Sequence, residues 1–182
     1  MRVITGSARG RHLKELTGME TRPTTDRVKE GMFSVLQFSL EGRRVLDLFA
    51  GTGQLGIEAL SRGAGAAVFV DRRADAVRLI RENLKLTELT DRAQVIAGDS
   101  MEYLTTLRSR FDLIFLDPPY EAGLLEPALA RIARFDILNP HGIIVAEAPA
   151  GRKLPALAAP YGVYRIYRYG KIGLTVYRRA GN

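Results

Sequence analysis

The stretch Arg44-Val45-Leu46-Asp47-Leu48-Phe49-Ala50 runs directly into Gly51-Thr52-Gly53-Gln54-Leu55-Gly56. An apolar strand that ends in a glycine turn and opens a helix, here about Leu55 to Arg62, commits the chain to a strand–turn–helix unit. The pattern then repeats. Ala66 to Val70 reads as a second strand ending at Asp71, and Ala74 to Leu86 as an amphipathic helix with Ala74, Val77, Ile80 and Leu84 on its stripe. Ala93 to Ala97 is a third strand, ending at Gly98-Asp99, and a helix from about Met101 to Leu107 leads to a fourth, Phe111 to Leu116. Leu124 to Arg134 is helical and Gly142 to Ala146 is a fifth strand. Such alternation implies an α/β fold with a mostly parallel sheet covered on both faces. Val163 to Tyr169 and Leu174 to Arg178 flank Gly170-Lys171-Ile172-Gly173, too short for a helix, so an antiparallel hairpin should complete seven strands at the sheet edge.

Residues 1–40 read as an appendage in front of a main domain of residues 41–182. Met1 to Ile4 and His12 to Leu16 can pair as a small hairpin around a glycine- and arginine-containing loop, Thr5 to Arg11. Arg22-Pro23-Thr24-Thr25-Asp26 is an extended entry into a helix, with Thr25 or Asp26 as N-cap and Val28, Met32, Val35 and Leu36 as its apolar stripe. Charge is unevenly shared: residues 1–44 carry +4, residues 45–150 carry −4 and residues 151–182 carry +7. Basic ends around an acidic middle fit a polyanionic partner held by the ends, RNA being the natural case. Arg9, Arg11, Arg22, Thr24, Arg27 and Lys29 are the expected contacts. At 182 residues the chain should bury one core, and without cysteine it has neither disulfides nor a thiolate metal site. Two histidines make a histidine-built metal site improbable, so no metal is expected. No run is long and apolar enough to span a bilayer, and the start has no signal-peptide pattern. A cytoplasmic monomer that makes no use of a membrane is the expectation.

Asp117-Pro118-Pro119-Tyr120 follows the fourth strand, in the crevice where open α/β sheets bind ligands. The acid and the Pro118 carbonyl can both accept hydrogen bonds from an amino group. The prolines remove two competing backbone donors, and the tyrosine offers a flat face for stacking. Together they suit a planar ring bearing an exocyclic amine, that is, a nucleobase. The competing view is an ordinary strand-ending turn, since Asp and Pro favour turns.

Gly51, Gly53 and Gly56, with Asp71 beyond them, also match the dinucleotide-binding fingerprint, so a hydride-transfer enzyme is a competitor. Asp47 argues against it. A carboxylate at ~5 Å from a phosphate, in an effective dielectric of 20, is repelled by roughly 3 kcal/mol per charge pair. The same carboxylate favours a cationic amine or sulfonium, and S-adenosylmethionine carries both. In that reading the glycines let the main chain approach the methionine part, Asp71 accepts from the ribose hydroxyls, and Asp99 meets the adenine amine. Phe49, Ala50, Thr52, Arg72, Ser100 and Asp117 complete the expected cofactor contacts.

Asp47-Leu48-Phe49-Ala50-Gly51-Thr52-Gly53 together with Asp117-Pro118-Pro119-Tyr120 resembles class I methyltransferases that modify exocyclic amines of bases. More narrowly, the chain resembles the bacterial small-subunit rRNA guanine-N2 methyltransferase family, the RsmD type. That resemblance covers almost the whole length and rests on Gly6 to Arg11, Arg22 to Glu30, Gly51 to Gly56, Glu58 to Ala64 and Asp117 to Tyr120. It implies a Rossmann-like fold, S-adenosylmethionine as cofactor and methylation of one guanine N2 amine in 16S rRNA, in a partly or fully assembled small subunit. It also implies that Asp117 and Pro118 hold the amine while Tyr120 stacks on an extruded base. The residues themselves specify only an amine on a planar ring and a polyanionic partner. Adenine N6 or cytosine N4 of DNA or RNA therefore stays open as the target, as does a non-catalytic RNA-binding assembly factor.

Overall fold

A computed structural model describes residues 1–16, 26–36 and 40–181. Its centre is a sheet of seven strands: β1 (Arg44–Asp47), β2 (Ala66–Asp71), β3 (Ala93–Ala97), β4 (Phe111–Leu116), β5 (Leu138–Pro149), β6 (Tyr161–Tyr169) and β7 (Ile172–Arg179). The spatial order is β3-β2-β1-β4-β5-β7-β6. The first five are parallel, and β7 runs antiparallel between β5 and β6. This is the mostly parallel, two-sided sheet that the alternating pattern predicts, in the Rossmann-like arrangement that the family resemblance implies. The central strands read as unbroken apolar runs because both faces are covered.

Among the described residues there are five α-helices: α1 (Asp26–Leu36), α2 (Gln54–Ser61), α3 (Ala74–Thr87), α4 (Ser100–Thr106) and α5 (Leu125–Arg134). The first three cover one face, where Met32, Phe33, Leu60 and Ile80 pack with Phe69, Phe115 and Leu174. The other two cover the opposite face, where Leu104, Leu129 and Ile132 pack with Leu46, Ile114 and Tyr177. No helix among the described residues is long and apolar enough to cross a membrane.

Three elements depart from expectation. The amino-terminal hairpin is reduced to a single antiparallel bridge, Arg2 with His12. Its segment instead docks on α2 and α3, and Val3, Ala8 and Leu13 join the core that Leu55 and Leu60 also line. Strand β5 begins at Leu138 rather than Gly142, because Leu138 pairs with Phe111 across a register shift. The closing hairpin turns on Gly170-Lys171 alone, since Ile172 and Gly173 already pair with Tyr169 and Arg168.

The α1 stripe is wider than the one predicted: Val28, Met32 and Leu36 are buried as expected, Val35 is half-buried, and Lys29 and Phe33 join them. Lys29 thus sits on the inner face. A phosphate contact by Lys29 is thereby corrected. Its side chain is shielded from solvent, its Nζ donates to the Arg2 carbonyl at 2.5 Å, and Glu58 Oε2 lies 3.7 Å away. Burial pulls the ammonium pKa below its ordinary value, with Glu58 opposing the shift. Glu58, itself buried, also accepts from the Ile4 and Thr5 amides and from Arg62 Nε, at 2.8 to 3.0 Å. Buried charges persist only when paired and bonded in this way. The cluster pins the amino terminus to α2.

Candidate active site

The strand order reverses between β1 and β4, each flanked by the helices of its own crossover. Ligands in such sheets bind at the carboxyl ends beside that switch point. Asp47 pairs with Phe115, and the Leu48 amide donates to the Phe115 carbonyl at 3.3 Å. The turn after β1 and the tetrapeptide after β4 are thus brought side by side, although they are far apart in sequence.

The three glycines of the turn serve different purposes. Gly51 and Gly53 take φ of 54° and 79°, the left-handed region that glycine enters without strain. Gly56 is in the helix, and a Cβ there would come within 2.3 Å of Phe69 Cε1, so it permits α2 to close on β2. Ala50, nearly buried, is tied by its amide to the Val70 carbonyl at 3.0 Å, and Phe49 is half-buried against the opposite core. Thr52 is buried, with its hydroxyl 3.5 Å from Met1 Sδ. Its carbonyl accepts from Asn83 Nδ2 at 2.9 Å, while Asn83 Oδ1 accepts from the Lys14 amide at 2.8 Å. Asn83 was not singled out from sequence. Its signal is a lone amide on the apolar stripe of α3, one position before Leu84.

Asp47 lies beneath the turn, 2% exposed, with Oδ2 accepting from the Gly56 amide at 3.0 Å. Burial pushes its carboxyl pKa up to about 7, the amide opposes the shift, and the Asp71 charge adds to it. The acid is therefore a buried helix-start cap close to the loop.

Asp71 ends β2 and laces the rim. Its Oδ2 accepts from the Gly51 amide and its Oδ1 from the Arg73 amide, both at 2.9 Å. Arg72 beside it is exposed. Asp99 caps α4 through Oδ1, which accepts from the Met101 and Glu102 amides at 2.8 and 3.0 Å. Ser100 is buried, and its hydroxyl donates to the Leu48 carbonyl at 2.6 Å, joining the start of α4 to the end of β1. At ~4.8 Å per strand the rim spans roughly 15 Å from Asp99 to the β4 end.

After β4, Asp117 is half-buried, Pro118 is buried and Pro119 is exposed. Tyr120 opens a single 3₁₀ turn, Tyr120–Ala122, and its hydroxyl donates to Glu147 Oε1 at 2.9 Å. Glu147, 5% exposed in β5, thereby tethers the hydroxyl end of the ring. Sequence reading missed it, though an acid inside Ile143-Ile144-Val145-Ala146-Glu147-Ala148 is an audible break in an apolar strand. The resulting rim carries the half-buried Asp117 and a half-buried tyrosine tethered by its hydroxyl.

The expected RNA contacts are dispersed. Arg9 and Arg27 are exposed, whereas Arg11 caps α3, donating to the Leu86 carbonyl at 2.6 Å and pairing with Glu88 at 2.9 Å. Arg22 and Thr24 lie outside the described residues.

A family model described as "Conserved hypothetical protein 95" matches residues 1–178. The Bacillus subtilis protein YlbH is 44% identical over 184 residues, spanning 100% of both chains. The Escherichia coli K12 protein named "Ribosomal RNA small subunit methyltransferase D" is 33% identical over 180 residues, covering 98% of this chain and 90% of that one. Among solved structures, yhhF from Escherichia coli superposes with a TM-score of 0.90 at 30% identity, covering 100% of this chain and 99% of its own.

Proposed function

Since this chain belongs to the family described as Conserved hypothetical protein 95, we propose that it methylates the exocyclic N2 amine of a guanine in 16S rRNA, drawing the methyl group from S-adenosylmethionine. The relative named for the small ribosomal subunit supports that substrate class. The observation that carries the reading is the position of Asp117-Pro118-Pro119-Tyr120 against the glycine turn at the β1–β4 switch point, with the Tyr120 hydroxyl held by Glu147. In this reading residues 41–182 carry the chemistry, and residues 1–40 meet RNA through Arg9, Arg22, Thr24 and Arg27.

The rim fits the cofactor. A Cβ at Gly51 or Gly98 would meet nothing within 4 Å, so the loops after β1 and β3 leave their main chains open to a ligand. Each Asp71 oxygen accepts one amide and keeps a lone pair for a ribose hydroxyl, and Asp99 caps through Oδ1, leaving Oδ2 for an adenine amine. Phe49, Ala50, Thr52, Gly53, Arg72 and Ser100 frame the same rim, with the buried Asp47 carboxyl beneath it. When bound, the cofactor supplies an electrophilic methyl group on a sulfonium.

The residues of this chain position the acceptor. Asp117 and the Pro118 carbonyl accept the two N–H bonds of the amine, which holds the nitrogen toward the glycine turn and localises its lone pair. Near-attack positioning of this sort supplies ~7–11 kcal/mol of a barrier. The Asp117 carboxylate also stabilises positive charge as it develops on nitrogen. Tyr120, its hydroxyl already held by Glu147, stacks on the extruded base and offsets part of the few kcal/mol needed to unstack it.

Small subunits lacking the modification, incubated with methyl-labelled cofactor and digested to nucleosides, should yield labelled N2-methylguanosine. Label in N6-methyladenosine or N4-methylcytosine would overturn the base assignment. No label in RNA would overturn the whole reading.

A further inference from the structure

The last 32 residues carry seven basic side chains and no acid. Two of the seven are engaged internally: Arg179 with Asp136 at 2.8 Å, and Arg152 with Glu126 at 2.6 Å. Arg165 and Arg178 differ. Both are exposed, and no carboxylate pairs with either among the described residues. Instead they stack on tyrosines. The Arg178 guanidinium lies 3.5 Å from the Tyr164 ring centroid, and that of Arg165 lies 5.7 Å from Tyr164 and 5.9 Å from Tyr167.

The pairing explains how these groups converge. A register shift between Val163 and Arg165 puts an extra residue, Tyr164, into the β6 edge. Arg165 pairs with Val176 and Tyr167 with Leu174, so both project from the face that α1 covers. The result is a run of planar groups, Tyr167, Arg165, Tyr164 and Arg178, along the outermost strand. Tyr164 keeps 47% of its surface exposed. Where Arg178 ends the run, an open cleft of about 660 Å³ begins, bordered also by Arg43 and His141. At its other end β6 reaches the Gly170-Lys171 turn, whose Lys171 carbonyl accepts from the Ala150 amide just past Glu147.

We infer that this β6 strip is a second RNA-binding surface, one that takes a single-stranded segment of the substrate by stacking bases on Tyr164 and Tyr167 while Arg165 and Arg178 meet phosphates. An exposed ring and a half-buried one, interleaved with cations that no carboxylate pairs among the described residues, are the composition of a single-strand platform. The Tyr167 end of the strip lies three strand spacings from β4, ~15 Å, level with Glu147, and the strip runs from there toward the amino end of β5, where Arg178 pairs with Ile143. RNA leaving the catalytic rim would therefore reach it without crossing the sheet. The opposing explanation is edge protection, in which arginines merely discourage pairing with another strand. The inference rests on the RNA substrate proposed above.

Binding of a short oligouridine RNA, followed by anisotropy across a salt series, separates these cases. The double variant Arg165→Ala/Arg178→Ala should flatten the slope of log affinity against log salt by about 1.4, at ~0.7 per phosphate contact on a single strand. Tyr164→Ala should weaken binding at least about fivefold with the slope kept, the lower end expected for one stacked base. Arg165→Lys/Arg178→Lys should restore the slope, and Tyr164→Phe the affinity. All variants should match the wild type in melting temperature and in calorimetric affinity for S-adenosylmethionine, while methyl transfer shows a raised KM for subunits and an unchanged kcat. Unaltered affinity and slope in the variants would overturn the strip while wild-type methyl transfer to RNA stands. A change confined to self-association in sedimentation would overturn it in favour of edge protection. A wild type that neither binds nor methylates RNA would remove the substrate reading and the strip together.

Discussion

Asp47 is held in the core by one amide, and that isolation has a consequence for pH. The unfolded chain releases its proton near the ordinary value of 3.8, whereas the folded protein keeps it up to about 7. Between those values the folded state binds the extra proton, so stability falls as pH rises and levels off above about 7. The loss has an upper bound on the order of 4 kcal/mol. Asp47→Asn keeps an acceptor for the Gly56 amide without the charge. Relative to this variant, the wild type should lose melting temperature from pH 5 to pH 7 and hold a constant deficit from pH 7.5 to pH 9. A difference independent of pH across that range would contradict the buried titration. At this scale the acids that end strands were legible, because Asp71, Asp99 and Asp117 each follow an apolar run. Glu58, Asn83 and Glu147 were not. Their role depends on partners distant in sequence, and Glu58 reads as an ordinary helix residue until the amides of Ile4 and Thr5 fold onto it.

Elements meet through a few close approaches, and α2 on β2 is the tightest near the site. A methyl group at position 56 would sit 2.3 Å from Phe69 Cε1, and Phe69 is fully buried with no room to swing. Overpacking of this kind costs ~1–3 kcal/mol, against a gain of under ~1 kcal/mol from replacing a helical glycine. Gly56→Ala should therefore lower the melting temperature by several degrees, and adding Phe69→Leu should recover part of the loss. Equal stability of Gly56→Ala and wild type would show that the contact is not close. Most elements were readable at this scale, since the helices after β1 and β2 announce themselves by glycine and by apolar period. Strand β5 was cut short because Asn139-Pro140-His141 looks like a turn, yet Leu138 is held by Phe111. The α1 stripe was legible at Val28, Met32 and Leu36 but lacked Lys29, because a lysine reads as a solvent-facing residue. Only its tertiary partners, Glu58 and the Arg2 carbonyl, make burial tolerable.

Across the whole molecule, the sheet order is what turns separate motifs into one site. The glycine turn, Asp71, Asp99 and the tetrapeptide are spread along the chain, and the parallel register of β3, β2, β1 and β4 sets them along a single rim. The alternation of strands and helices made that rim foreseeable. How the ends of the chain attach to it was not, because packing of Val3, Ala8 and Leu13 under α2 leaves no local periodicity. The central claim is that Asp117 grips the acceptor amine, and methyl transfer by Asp117→Ala to unmodified small subunits, set beside calorimetric binding of S-adenosylmethionine, tests it most directly. The account predicts transfer reduced by at least about a thousandfold, with cofactor affinity within a few-fold of wild type. Transfer at the wild-type rate by Asp117→Ala would contradict it.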